Sequence, residues 1–582
     1  MNDAAYGTQD FDGLGRMTAT ASGGRSWSYT YASDTDPRPA SVTGSDNKIY
    51  TYTYIPQLDN AVSSVQAGTL SQTFTRDKTT GALTAATEGA TTLGYTYYPS
   101  GLPETETTTI TGQPQTTTTS SYTVNGLAHT YTGADGALET ITRDSWGRIS
   151  AVADPDMQVT VNYDDASRLS GWQAQDLASQ YTLTTTLTRD DVGREITRTI
   201  VDSQGDSWTL TQTWQANDLL SARTLSIGST MLREESFTYN SRNQLTGYAC
   251  TGESLPRDEY NNVIASQTFA YDDYGNVTSC QTDFSDQTSD TATYHFANGS
   301  DPCQLTGITH THPGYPSSTD LRHDAAGRLS TDEAGNTLAY DDLGRLQSVG
   351  SVTSYGYDPL NRLLSQVATD GTTHVLSYRA DTLASVAIGD QHTRLLRFGQ
   401  TCVAQHSDGQ QSETRLLGID GQQTVLMAGT PTRHEDYAYT AYGYRPGATA
   451  DSVLGFTGQH TNLATGCYHL GNGYRLYHPG LMRFTAPDSL SPFGTGGINP
   501  YAYCHGDPIN RTDPTGRLGL KDKSASAAWN SHHWAASIDS SNSSYQTASL
   551  ASRDSVLDTP IRQPDGSNGL KSALDDIEET SL

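Results

Sequence analysis

The feature that most constrains this chain is a short pattern that recurs along it: an aromatic or basic residue, Asp, one or two residues, Gly or Asn, Arg or Asn, then an apolar residue. The clearest copies are YDDYGNVTS (271–279), YDDLGRLQS (340–348) and YDPLNRLLS (357–365). Close relatives are RHDAAGRLS (322–330), RDSWGRIS (143–150), YDDASRLSG (163–171), RDDVGREIT (189–197), YNSRNQLTG (239–247) and FDGLGRMTA (11–19). Tyr340 and Tyr357 stand 17 residues apart, room for two strands and two turns.

Each position has a physical task. Tyr closes a strand with a large amphipathic surface. Asp can bond the backbone two residues on as an Asx-turn, and Gly or Asn accepts the positive φ that follows. The Arg and apolar pair opens the next strand. Between motifs run segments of strand period, such as YTLTTTLTRD (181–190) and KIYTYTYI (48–55). The unit is therefore a β-hairpin, repeated as a long ribbon. The clustered Asp side chains could instead bind calcium, but the copies lack EF-hand ligand spacing.

Composition agrees. Hydrophobic residues make up 34% and charged residues 17%, so the polarity is carried by uncharged Thr, Ser, Gly and Tyr, which suit strands and turns rather than a helical bundle. The 34 Tyr residues argue against disorder over most of the length. A formal charge of −29 would repel nucleic acid and anionic lipid, so no nucleic-acid partner is expected. The cysteines at 250, 280, 303, 402, 467 and 504 show no C-x-x-C and no Cys/His ligand spacing, and are read as reduced thiols with no metal site. The first residues lack a signal-peptide pattern, and no stretch approaches the ~18 apolar residues of a membrane span. The expectation is a protein made in the cytoplasm and secreted or released without a classical signal.

These motifs resemble the Rhs and YD-repeat proteins, a family that includes the C components of bacterial insecticidal toxin complexes. The resemblance implies an all-β fold: a repetitive hairpin sheet spiralling into a hollow shell, closed by an Rhs-associated core. It covers about residue 10 to 517, with degenerate repeats before about residue 140, where YYPSGLPET (97–105) is a poor copy. The expected division is a YD-repeat shell at 1–395, the core at 396–517 and a variable C-terminal segment at 518–582, with the last composed for disorder. The core elements are FTGQ (456–459), GNGYRLYHPGLMRF (471–484), PDSLSPFG (487–494), NPYAY (499–503) and DPINRTDPTG (507–516).

In the family this core is an aspartyl autoprotease that cuts just after the final Asp-Pro-x-Gly. The matching carboxylates are Asp488 and Asp513, with Arg483 as a supporting cation. Two neighbouring carboxylates can share one proton, which separates their pKa values and suits one to activate water while the other protonates the leaving amide. They lie 25 residues apart, so the chain between must turn back; PFGTGG (492–497) and HGDP (505–508) supply turn residues. Asp507 is assigned to the turn. Arg517 stands where the family usually shows an apolar residue, so the cut is expected at Arg517–Leu518 by position, or Leu518–Gly519 if an apolar residue must precede it.

Cys504-His505 is set aside as a nucleophile and base, because neighbours in a strand point to opposite faces. His532-His533 lacks a third ligand. No cofactor is implied. The resemblance further implies a B-type component completing the shell, a pore-forming A-type component for translocation, and the chain's own C-terminal segment as cargo. The alternative is a non-catalytic YD-repeat surface protein that binds carbohydrate or partner cells. A third reading is an inactive remnant.

Overall fold

The computed structural model describes residues 6–296, 299–409, 412–447, 452–462 and 464–520. Over these residues the chain is almost entirely antiparallel β. A first sheet of 27 strands runs from Gly7–Phe11 to Ser318–Asp320, and a second of 11 strands from Leu338–Tyr340 to Arg433–Asp436. Both are meanders in which each strand pairs with the next, as in Tyr163 opposite Leu169 and Tyr357 opposite Leu363. Strands such as Ile49–Ile55 and Leu70–Arg76 alternate buried and open positions, so one face of the ribbon is covered, as the period-2 text requires.

The repeated motif builds the same turn each time. In Asp341–Arg345, one carboxylate oxygen of Asp341 accepts the N–H groups of Leu343 and Arg345, and the other accepts Nε of Arg345 at 2.7 Å. Gly344 takes φ +83°, which only a residue tolerant of the left-handed region can supply. The same geometry holds at Asp12–Arg16, Asp144–Arg148 and Asp358–Arg362. The pairing register slips at the Tyr before the Asp, a bulge that adds twist to the ribbon. Each Tyr hydroxyl then reaches back to a strand-opening carbonyl: Tyr340 to Leu329, Tyr357 to Leu346, Tyr378 to Leu363. Each Arg lies over the next Tyr ring, Arg328 over Tyr340 and Arg345 over Tyr357, both at 4.8 Å.

The degenerate repeats keep this path without the Asp. Thr123 takes its place in Thr123–Leu127, where its hydroxyl accepts the Leu127 N–H and Gly126 has φ +77°. Tyr98 takes it in Tyr98–Leu102, with only the backbone closing the loop.

The ribbon winds back over its own beginning. Arg328 meets Asp46 at 3.0 Å, Arg345 meets Glu88 at 2.6 Å and Arg362 meets Glu106 at 2.7 Å, pairs separated by 282, 257 and 256 residues. Further along the separation falls to 240 residues at Arg379–Glu139 and 228 at Trp208–Asp436, so the length of chain in one winding shrinks along the ribbon. At the start, Arg25 is paired with Asp301. Further along, the second sheet packs across the first, and a single apolar core joins Trp208, Ile200 and Met157 to Leu416, Val403 and Met427, and on to Tyr477 and Tyr503. The second sheet ends at Arg433–Asp436, so the expected boundary after residue 395 falls inside the strand Gln391–Phe398, and the ribbon continues some forty residues beyond it. Of the expected C-terminal segment, only residues 518–520 are among the described ones. The tail, with His532-His533, lies outside them.

Arg362 is 7% exposed and satisfies both Asp358 and Glu106. Arg362→Ala would leave two carboxylates without their cation and is expected to cost about 3–5 kcal/mol. Arg168→Ala, at a turn whose guanidinium is half exposed, should cost under about 1 kcal/mol. Urea-unfolding midpoints of the two variants, followed by tryptophan fluorescence, test the contrast; equal shifts would count against pairing between windings as a source of stability.

Candidate active site

After the second sheet the chain forms a three-stranded sheet of Tyr468–Leu470, Arg475–His478 and Arg483–Phe484. Tyr477 stands opposite Phe484, and His478 opposite Arg483. Strand alternation therefore puts Arg475, Tyr477 and Phe484 on one face and His478 and Arg483 on the other. On the first face the Arg475 guanidinium lies 3.6 Å from the Phe484 ring centroid, and Tyr477 stacks on Tyr503 at 4.0 Å.

The two carboxylates named from the sequence converge on this face. Arg475 Nη2 lies 3.3 Å from Asp488 Oδ2 and 3.8 Å from Asp513 Oδ2. Asp488 is 6% exposed, Asp513 4% and Arg475 4%. The rest of the guanidinium is spent on backbone: Nη1 donates to the Pro500 carbonyl at 2.8 Å, and Nε donates to the Gly516 carbonyl. Arg475 thus ties both aspartates and both loops that carry them.

Asp488 is fixed by its own N–H on the Pro500 carbonyl at 2.9 Å and by the Leu490 N–H on its Oδ1 at 3.0 Å. Gly496 lets the following loop pass close, since a Cβ there would sit 2.8 Å from Asp488 Oδ2. Burial pushes the Asp488 carboxyl above the usual carboxylate range. Asp513 adds to the rise, while Arg475, the Leu490 N–H and Arg517 oppose it. Asp513 sits in a hairpin closed by Thr512 and Leu520, whose N–H and C=O groups pair at 2.8 and 3.1 Å. Its Oδ1 accepts the N–H groups of Arg517 at 2.9 Å and Leu518 at 3.0 Å, and the Thr515 hydroxyl at 3.1 Å. The carboxylate therefore lies against the Arg517–Leu518 peptide bond. The Arg517 guanidinium itself lies over the Tyr474 ring at 4.0 Å.

The turn-back expected between the aspartates is present, with Gly497 at φ +76° and Gly506 at φ +85°. Asp507 plays the expected turn role, its Oδ1 accepting the backbone and side-chain N–H groups of Asn510. Arg483 is not brought to the pair. It points from the opposite face, donates to the Cys303 carbonyl, and lies over the Phe296 and Tyr501 rings. Sequence reasoning passed over Arg475, although it lies in the quoted 471–484 stretch; its even spacing from Tyr477 was the available signal. Cys504 and His505 stand in a tight turn, both at positive φ, rather than in a strand. Burial pushes the Cys504 thiol well above its usual range.

Residues 340–373 match the RHS Repeat family. No curated protein matches the chain. Among solved structures, TcdB2-TccC3 without its hypervariable C-terminal region matches with a TM-score of 0.60 at 16% identity, over 88% of this chain and 28% of that one. TcdB2-TccC3 matches with a TM-score of 0.60 at 15% identity over 88% and 29%, and the Tc holotoxin pore of Photorhabdus luminescens with a mutant TccC3 with 0.60 at 16% over 89% and 28%. The chain thus spans less than a third of the length of the chains it matches.

Removing the guanidinium should expose the electrostatics of the pair. Arg475→Met leaves two buried carboxylates without their cation, so its melting temperature should fall well below wild type at neutral pH. Because Asp488 already titrates high, acidification neutralises it and should narrow the gap. Scanning calorimetry at neutral and mildly acidic pH reads this; a gap that widens in acid would contradict the geometry. By its repeated turn, its matched segment at 340–373 and its winding sheet, this chain carries an RHS repeat and has the fold of the TcdB2-TccC3 toxin-complex structures.

Proposed function

We propose that the protein is part of a toxin-enclosing β-hairpin shell that cuts its own chain after Asp-Pro-Thr-Gly and keeps the C-terminal segment as cargo, in a complex with B-type and pore-forming A-type components. The observation that carries this reading is the burial of Asp488 and Asp513 around Arg475, with Asp513 Oδ1 3.0 Å from the Leu518 nitrogen. That contact favours Arg517–Leu518 over Leu518–Gly519 as the scissile bond.

The two carboxylates divide the work as their surroundings suggest. Asp488, the member whose proton affinity burial raises, is protonated and donates to the Arg517 carbonyl oxygen. Asp513 takes a proton from a water molecule, whose oxygen attacks the Arg517 carbonyl carbon. The tetrahedral gem-diol intermediate collapses with rupture of the C–N bond; Asp513 passes its proton to the Leu518 nitrogen, and Asp488 recovers its own from the hydroxyl on the former carbonyl oxygen. Arg475 holds the carboxylates facing each other and is a positioning residue. Its bond to the Gly516 carbonyl keeps the segment before the cut in place.

Intact-mass measurement of the purified protein is expected to give a large fragment ending at Arg517 and a small one that co-purifies under native conditions. Asp513→Asn and Asp488→Asn should each leave one full-length species that still unfolds cooperatively. A single full-length species in the wild type, or continued cutting in Asp513→Asn, would refute the assignment. Cleavage needs protonated Asp488, so its rate should fall as pH rises through that group's raised pKa. Time courses across pH, begun from protein denatured during synthesis and refolded, would show this.

A further inference from the structure

The backbone around Arg517–Leu518 is held from both sides. Downstream, the Gly519 carbonyl accepts Arg511 Nη1 at 3.2 Å, and the backbone of Leu520 pairs with Thr512. Gly519 passes so near the preceding turn that a Cβ on it would sit 3.0 Å from the Cys504 Cα. Upstream, the Gly471 N–H donates to the Pro514 carbonyl at 3.1 Å. A Cβ on Gly471 would sit 2.2 Å from the Thr515 carbonyl oxygen. The turn at 471–474, closed by the Tyr474 N–H on the Gly471 carbonyl, is thus moulded to residues 514–516. It ends by bringing the Tyr474 ring against the side chain of Arg517.

Two groups grip Arg517 there. Its guanidinium lies 4.0 Å from the Tyr474 ring centroid, and its Nη1 donates to the Ser489 hydroxyl at 3.4 Å. The two groups are themselves joined: their hydroxyl oxygens are 2.8 Å apart, and the Ser489 N–H donates to the Tyr474 hydroxyl at 3.3 Å. Surface arginines often rest on aromatic rings, but the provenance of this pair is particular. Tyr474 directly precedes Arg475, and Ser489 directly follows Asp488. The seat is therefore built from the immediate neighbours of the groups that hold the aspartate pair, and it takes the residue whose carbonyl carbon is the proposed point of attack.

We infer that Tyr474 and Ser489 form a specificity pocket, an aromatic face and a hydroxyl that seat the Arg517 side chain and so fix the cut at Arg517–Leu518. This rests on the proposed self-cleavage. The ring explains how Arg stands where the resemblance leads to an apolar residue: a guanidinium plane and its aliphatic stem lie on aromatic surface as an apolar side chain does. The register is fixed as well. Sliding the chain by one residue to seat Leu518 would put Arg517 at the φ +66° place of Gly516 and Leu520 in the tight place of Gly519. Neither Tyr474 nor Ser489 moves a proton; they select and position the residue before the cut.

The test follows the full chain from cell-free synthesis by intact mass, reading both the rate and the position of the cut. Wild type is expected to be cut at Arg517–Leu518. Tyr474→Leu should slow cutting about tenfold, and Tyr474→Phe, which keeps the ring, only about twofold. Arg517→Glu should slow it about tenfold or more, whereas Arg517→Leu should still be cut, since the ring accepts an apolar side chain. In the Arg517→Leu background, Tyr474→Leu should cost under about threefold, because the two residues act through each other. The ring also lies 5.9 Å from the Arg475 guanidinium, and a loss transmitted through Arg475 would be equal in both backgrounds. Melting of each variant combined with Asp513→Asn, where the chain stays whole, separates slow cutting from loss of fold. Arg517→Glu, at a half-buried position, reads the pocket even where Tyr474→Leu does not fold. An uncut wild type would overturn the pocket together with the proposed function. A wild type that is cut, but after Leu518, or with equal losses in the two backgrounds, or with Tyr474→Leu as fast as wild type, would overturn the pocket alone.

Discussion

Everything in this protein depends on one carboxylate in a five-residue turn. The Asp of each repeat holds two backbone N–H groups with one oxygen and the Arg four residues on with the other, as Asp358 does with Leu360, Arg362 and the Arg362 guanidinium. An isolated two-stranded hairpin is marginal in water, so a long ribbon of them needs its turns fixed before its faces can pack. Fixing the Arg within its turn also aims it: its free nitrogens reach the winding beneath, and its plane lies over the next Tyr. A single interaction thus sets local conformation, succession of repeats along the ribbon, and stacking of windings.

Repetition also explains why the protein can bury so many charges. Arg362 and Arg345 would be costly inside a protein if each met a single partner. Here each meets two carboxylates, one that arrives with its own turn and one that the winding geometry delivers about 256 residues away. Because the later winding runs alongside the first, a second partner arrives at turn after turn, at Arg328, Arg345 and Arg362. The same logic operates at Arg475, which also serves two aspartates, but there the winding has ended and the acids come from two loops 25 residues apart.

Much of this was legible in the residues. The hairpin unit, the Asx-turn and the positive φ at Gly or Asn follow from side-chain chemistry within five residues, and the turns at 144–148 and 341–345 form as read. The pairing of Asp488 with Asp513 came from motif resemblance, and the structure brings the two together. What escaped was whatever depends on distant chain. The turns at Thr123 and Tyr98 keep the path because neighbouring strands impose it, although the Asp is gone. The choice between Arg475 and Arg483 depends on which face of a three-stranded sheet meets the returning loop, and no local pattern states that. The border expected at residue 395 follows the family resemblance, whereas among the described residues the second sheet runs on to its last strand, Arg433–Asp436.

The placement of the aspartate pair follows from the same architecture. Under the proposed function the pair must stay inert until the fold is complete, so that cutting follows enclosure. Asp488 and Asp513 gain their shared guanidinium only when Arg475 is placed against Phe484 and when Pro500 and Gly516 offer their carbonyls. That face in turn rests on Tyr477 and Tyr503, which belong to the core joining both sheets. The site is therefore assembled by the last part of the chain on a platform that exists only after the ribbon has wound. Asp513 waits beside the Arg517–Leu518 bond in a hairpin that closes at Leu520, just where the Ser-rich composition takes over. In the proposed function, folding and chemistry would be coupled through burial, because the desolvation that lifts Asp488 comes with closure of the core around it.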